Sequence, residues 1–316
     1  MKMIRGAHVS ILLLLLFLGP VLIRQLMPAE GRTFQGVSLD ETQHVEISFR
    51  NSAQQLTLGG LFFSPNGDGP FPAVVVIHGS GTSTRDNRWY LTLTENLQEN
   101  GIAVLLPDKR GSEMSEGNWR TSDFHDLATD TLAAIEYLKN QQHVAVSRIG
   151  VIGMSQGGWI APIVASQSSD LDFIVSVVGA AVTPSEQLRY EENHNLRQAG
   201  FLPGFSNVVA MMSTTYIKNI GQKEFWDGVV DFDPLPYWQK ISVDAFALFG
   251  SDDTNVPSAE SVARLTALDN PRIKTQVYDG SGHPLEDPVN QGNSIFRADA
   301  LADIRAFIYS VAANAN

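Results

Sequence analysis

A chain of 316 residues, 43% hydrophobic and 18% charged, carries enough apolar material for one large core, and its composition excludes disordered, collagen-like and coiled-coil classes. A formal net charge of -12 argues against anionic partners such as phosphate backbones and acidic lipid surfaces, and so against nucleic-acid binding. The absence of cysteine excludes disulfides, thiolate catalysis, cysteine-based metal sites and a lipid anchor on an N-terminal cysteine.

The first expected element is an export segment over residues 1–30. Lys2 and Arg5 precede an apolar stretch from Ala7 to Ile23, with Leu12 to Leu16 in a row, and Arg24 closes it. Its length sits at the short end of what spans a hydrocarbon core, and no clean small-x-small cleavage site follows. An uncleaved signal anchor is therefore favoured over a cleaved signal peptide. The leading positive charges predict that the body, residues 31–316, lies on the outer (periplasmic or extracellular) side of the membrane, or is secreted if the segment is removed.

Val45 to Phe49 and Leu56 to Ser64 predict a hairpin, with Gly59-Gly60 permitting a kink or bulge. Short, continuous apolar runs follow at Ala73–Ile77, Ile102–Leu106, Ile149–Ile152, Phe173–Val178 and Phe246–Phe249. They are the pattern of strands buried on both faces. Helical spacing separates them at Trp89–Gln98, Phe124–Lys139, Trp159–Ala165 and Ser258–Leu268, and Ile295–Tyr309 completes the chain. The alternation predicts an α/β fold with a mostly parallel central sheet flanked by helices. The rhythm breaks between about 184 and 240, where an inserted helical cap is expected.

Gly153-Met154-Ser155-Gln156-Gly157-Gly158 directly follows one buried run and opens a helical one. A serine hydroxyl becomes a useful nucleophile when a tight strand-to-helix turn holds it exposed beside a base. Glycines at 153 and 157 relieve the crowding of such a turn. Pro162 is expected within about the first turn of the helix, where its missing N–H is tolerated. Upstream, His78-Gly79-Ser80-Gly81 follows another strand and offers an oxyanion hole built from the Ser80 N–H and, after the nucleophile, the Gln156 N–H. Reading the same glycines as a dinucleotide fingerprint fails, because Thr84 stands where glycine or alanine is required.

A base and an acid are expected on loops after late strands. Phe246–Phe249 runs into Gly250-Ser251-Asp252-Asp253, which offers Asp253, with Asp252 as the alternative. Thr275–Tyr278 runs into Asp279-Gly280-Ser281-Gly282-His283. Of seven histidines, His283 alone follows the final strand. A carboxylate beside it fixes its tautomer and stabilises the imidazolium formed during attack.

With these residues in place, the stretch from about 45 to 310 resembles the α/β-hydrolase superfamily, in particular serine esterases and peptidases grouped with dienelactone hydrolases and serine aminopeptidases. The likeness includes Asp108-Lys109-Arg110-Gly111 and Gly250-x-x-Asp253-x-x-Val256-Pro257, and the latter favours Asp253 over Asp252. Glu113 departs from the pattern by occupying a usual glycine. Arg85, Asp86, Asp108 and Arg110 are candidates for one buried ion-pair cluster. The resemblance implies hydrolysis of a small-molecule carboxylic ester or related acyl bond by Ser155, His283 and Asp253, with no metal or organic cofactor. Two other readings are a peptidase on the same triad, with Glu186, Glu191 and Glu192 gripping an amino terminus, and a non-catalytic, membrane-anchored binding module.

Overall fold

The computed structural model describes residues 34–142, 144–288 and 295–313. The expected export segment lies outside them, as does His143. Among the described residues no helix is long and apolar enough to cross a membrane.

Eight strands form one sheet in the order β1-β2-β4-β3-β5-β6-β7-β8. They are β1 (Val45–Asn51), β2 (Leu56–Phe63), β3 (Phe71–Ile77), β4 (Ala103–Pro107), β5 (Val146–Met154), β6 (Phe173–Val177), β7 (Asp244–Gly250) and β8 (Ile273–Tyr278). The pairings β1 with β2 and β2 with β4 are antiparallel, and all the others are parallel. The continuous apolar runs follow from burial on both faces. In β3, Ala73, Val75 and Ile77 enter one core cluster, while Val74 and Val76 enter the other.

Helices α1 (Arg88–Glu99) and α9 (Ala298–Ala313) cover one face, through residues such as Leu91, Leu97, Ile304 and Phe307. Helices α2 (Phe124–Asn140), α3 (Gly157–Gln167) and α8 (Ser258–Ala267) cover the other, through Leu127, Ile160 and Leu265. Between β6 and β7 the chain passes through α4 (Pro184–Gln198), α5 (Pro203–Tyr216), α6 (Lys223–Val229) and α7 (Leu235–Lys240). Thr183 caps α4 in a capping box with Glu186, which fixes where this excursion begins.

Two local expectations are corrected. Gly59 and Gly60 form no bulge, since β1 and β2 keep continuous register across them. Their lack of side chains instead serves close approach: a Cβ at Gly60 would stand 3.0 Å from the Leu106 carbonyl oxygen, and one at Gly59 would stand 2.6 Å from the Asp108 carboxylate. Pro162 lies inside α3 rather than in its first turn, because the helix begins at Gly157, immediately after the turn that carries Ser155 and Gln156.

Candidate active site

β5 ends at Met154 and α3 begins at Gly157, so Ser155 and Gln156 make the reversal from strand to helix. Ser155 has φ 52°, left-handed backbone that persists in a non-glycine residue only where its surroundings enforce it. They do so here. Its N–H donates to the Val177 carbonyl at 2.9 Å, and its own carbonyl accepts from the Gly158 N–H at 2.8 Å. No larger residue fits around it: a Cβ at Gly153 would lie 2.3 Å from the Gly157 carbonyl oxygen, and one at Gly157 would lie 2.4 Å from that of Ile77.

Ser155 Oγ is 3.0 Å from His283 Nε2, and His283 Nδ1 is 2.8 Å from Asp253 Oδ2. A carboxylate only accepts, so Nδ1 carries the proton and Nε2 is left to accept from the serine, which is the tautomer a general base needs. Asp253 is 2% exposed, and its other oxygen, Oδ1, accepts from the N–H groups of Asn255 at 2.7 Å and Val256 at 2.9 Å. The neighbouring Asp252 is exposed and accepts from Ser251 Oγ instead. The two loops are tied together, with the Asp252 N–H on the Ser281 carbonyl at 2.9 Å and the Gly280 N–H on Ser251 Oγ at 2.8 Å.

Of the two amides named from the sequence, Gln156 directly follows Ser155, and Ser80 follows Gly79, which packs against Ser155. Gly79 packs so closely that a Cβ there would be 3.3 Å from Ser155 Cβ, and its N–H donates to Tyr90 Oη at 2.8 Å. Gln156 is the N-cap of α3, the end of the helix whose dipole favours developing negative charge. Lys109 lies behind both loops, its Nζ donating to the Gly79 carbonyl at 2.6 Å and to Gln156 Oε1 at 2.9 Å. Burial pulls the Lys109 ammonium down to about 7. His78 donates from Nε2 to the Pro107 carbonyl at 2.6 Å, so its Nδ1 accepts from Ser83 Oγ. Burial lowers its pKa to about 4 and keeps it neutral.

The proposed single ion-pair cluster resolves into two separate pairs. Arg85 forks onto Asp108 at 2.9 and 2.8 Å, and Arg110 forks onto Asp130, while Asp86 accepts from the Leu39 N–H. Glu113, at the usual glycine position, takes φ 47° and accepts from the Arg85 N–H at 3.2 Å. An open cleft of about 460 Å³ borders Ser80 and Gly81 and runs between Trp119, Arg120 and Phe225. Among the described residues no group of three or more His, Asp or Glu side chains is placed to hold a metal ion.

A model of the family described as BAAT / Acyl-CoA thioester hydrolase C terminal matches residues 132–295, more than half of the chain, and one of the Dienelactone hydrolase family matches residues 58–198. The chain belongs to the first of these families, within the α/β-hydrolase superfamily. This α/β-hydrolase is 26% identical over 240 residues to Esterase EstD of Thermotoga maritima, a match covering 72% of this chain and 57% of that one. It is also 26% identical over 279 residues to the Bifunctional esterase/perhydrolase DCH of Acinetobacter calcoaceticus, covering 78% of this chain and 96% of that protein. The Acylamino-acid-releasing enzyme of Rattus norvegicus is 22% identical, covering 72% of this chain and 30% of the relative. The chain thus spans less than two thirds of EstD and of the releasing enzyme. In fold it is similar to the Pyrococcus furiosus esterase Pf2001, with TM-score 0.64 at 20% identity over 90% of this chain and 98% of that one.

Three residues of the α/β-hydrolase site carried no sequence signal as supports. Tyr190 on α4 donates from its hydroxyl to the Asp253 carbonyl at 2.9 Å, and Trp89 Nε1 donates to the Pro284 carbonyl, next to His283, at 3.0 Å. Lys109 stood within a motif, but its two partners lie 30 and 47 residues away in the chain.

Proposed function

We propose that the protein is a serine hydrolase cleaving a carboxylic ester or related acyl bond through an acyl-enzyme on Ser155. The observation that carries this reading is the unbroken hydrogen-bond chain from Asp253 through His283 to a serine held in left-handed backbone. His283 Nε2 takes the hydroxyl proton as Oγ attacks the carbonyl carbon, and the oxyanion is met by the Ser80 and Gln156 amides. Collapse breaks the bond to the leaving group, which takes the proton from His283. A water molecule, deprotonated by the same imidazole, then attacks the acyl-enzyme and frees Ser155 and the acid.

The helices α4 to α7 act as the cap, and the cleft between Phe225 and Ser80 is where the substrate enters. EstD and DCH bear esterase names, which supports an oxygen ester as substrate. The peptidase alternative draws no support from the cap carboxylates. Glu186 is engaged by Arg264 and Thr183, Glu191 accepts from Asn255, and buried Glu192 accepts from Ser213 Oγ. Outer-face localisation rests on the sequence of residues 1–30, and protease accessibility of the body in intact cells tests it.

The Ser155→Ala variant is expected to lose turnover of a short-chain p-nitrophenyl ester and to lose labelling by a fluorophosphonate probe. Undiminished turnover by that variant rejects the assignment. Wild-type protein that neither labels nor turns over esters points to the binding-module reading instead.

A further inference from the structure

Three consecutive charged residues leave β4 and are all buried: Asp108 at 5%, Lys109 at 7% and Arg110 at 4% exposure. Two are compensated by opposite charge, Asp108 by Arg85 and Arg110 by Asp130. Among the described residues Lys109 has no carboxylate partner, and its contacts are the Gly79 carbonyl, Gln156 Oε1 and the face of Trp119, 5.0 Å from the ring centroid. A buried, uncompensated ammonium is costly to folding, so its retention calls for a role that the core does not supply.

Geometry gives that role. In a planar trans peptide the C=O and the following N–H point in opposite directions. Drawing the Gly79 carbonyl onto Lys109 therefore turns the Ser80 N–H away from Lys109, and the Gly79 unit already lies against Ser155. The same ammonium holds Gln156, whose Nε2 is buried without a hydrogen-bond partner, so that Lys109 supplies the hydrogen bond that fixes this side chain. Resting on the reading of Ser155 as nucleophile, we infer that Lys109 is a positioning residue for the oxyanion pocket, holding the Gly79-Ser80 peptide and Gln156 so that both amides converge on the carbonyl oxygen under attack. Its charge also polarises the Gly79-Ser80 peptide and strengthens the Ser80 N–H as a donor. Both effects grow as negative charge develops on the substrate oxygen, so they act on the transition state more than on the bound ester.

Lys109→Met removes the donors and the charge at similar length. The expected result is a loss in kcat of about 100-fold on a p-nitrophenyl ester, the effect of a misplacement of about 1 Å and the lower end of that of losing one oxyanion donor. KM changes less than about threefold on the same physical ground, because ground-state binding does not use the pocket. A trifluoromethyl ketone, whose adduct with Ser155 carries the oxyanion, weakens in proportion to the loss in kcat/KM. A merely structural lysine would instead move KM and kcat together and leave the ketone's inhibition constant tracking KM. Lys109→Gln, which keeps a donor, carries the same test if the Met variant does not fold. Full kcat in a folded Lys109 variant, or unaltered ketone affinity, overturns this inference alone, provided that Ser155→Ala is inactive. Turnover by Ser155→Ala overturns both readings.

Discussion

Asp253→Asn isolates the acid from the shape of its loop. Asp253 Oδ1 accepts from two main-chain N–H groups, those of Asn255 and Val256, and Oδ2 faces His283 Nδ1. An asparagine must keep its oxygen on the two N–H groups, because the flipped amide would set NH2 against both donors and leave them unpaired at about 1–3 kcal/mol each. Its NH2 therefore points at His283 Nδ1 and forces that nitrogen to accept. The imidazole proton then moves to Nε2, where it faces Ser155 Oγ, and no base remains for the hydroxyl. Asp-to-Asn changes of this kind lower kcat by about 10⁴-fold, or about 5 kcal/mol of transition-state stabilisation. Steady-state kinetics on a p-nitrophenyl ester, with near-ultraviolet circular dichroism to verify folding, measures the effect. A folded variant that keeps more than about a tenth of wild-type kcat refutes the reasoning, because the tautomer effect then sets less of the rate than this geometry demands.

Two further outcomes follow from the same contacts. Tyr190→Phe removes the hydroxyl that donates to the Asp253 carbonyl, and it is expected to lower kcat by about tenfold while leaving the unfolding midpoint within a few degrees, a pairing checked by kinetics and thermal denaturation. His78 has a folded pKa depressed by burial, with the Lys109 charge acting the same way and Asp108 opposing it. Below the unfolded value of 6.5 the unfolded chain takes up the proton first, so the contribution of His78 to stability is present above pH 6.5 and is lost as pH falls toward about 4. Urea midpoints at pH 7, 5 and 4 should fall more steeply for wild type than for His78→Gln, and parallel curves would show that the buried imidazole does not carry the acid sensitivity.

The sheet was legible because burial on both faces writes itself into sequence as unbroken runs such as Ala73–Ile77, whereas half-buried strands alternate. Ser155, Asp253 and His283 were legible because each sits at a strand end with its own turn chemistry. What stayed hidden depended on partners remote in the chain. Whether Gly59 and Gly60 mark a bulge or a close approach is decided by the Leu106 carbonyl on β4 and by Asp108, not by residues nearby. Pro162 was misplaced because the helix takes its start from the strained turn at Ser155, and no conventional cap residue announces it. Tyr190 and Trp89 reach carbonyls 63 and 195 residues away, and no local pattern encodes such contacts.

The run Asp108-Lys109-Arg110 shows how stability and chemistry are divided within one loop. Forked ion pairs hold the outer two residues, and breaking either would strand a buried charge at about 3–5 kcal/mol. The middle residue works against the fold. Its pKa of about 7 lies below the unfolded 10.5, so the native state binds the proton less tightly than the unfolded chain. That penalty is fully present below pH 7, fades as pH rises toward 10.5, and is absent in Lys109→Met. The methionine has costs of its own, since it leaves the Gly79 carbonyl and Gln156 Oε1 without their donor, but these do not change with pH. Titratable and charged groups around the ammonium include His78, already neutral above about 4, Asp108, held by Arg85, and Arg120, on the same Trp119 ring. The difference in unfolding free energy between wild type and Lys109→Met should therefore shift in favour of wild type from pH 6 to pH 9. A difference that stays constant over that range would mean that the native ammonium holds its proton as tightly as the unfolded chain does, its charge compensated by groups around it, and would refute the burial penalty argued for Lys109.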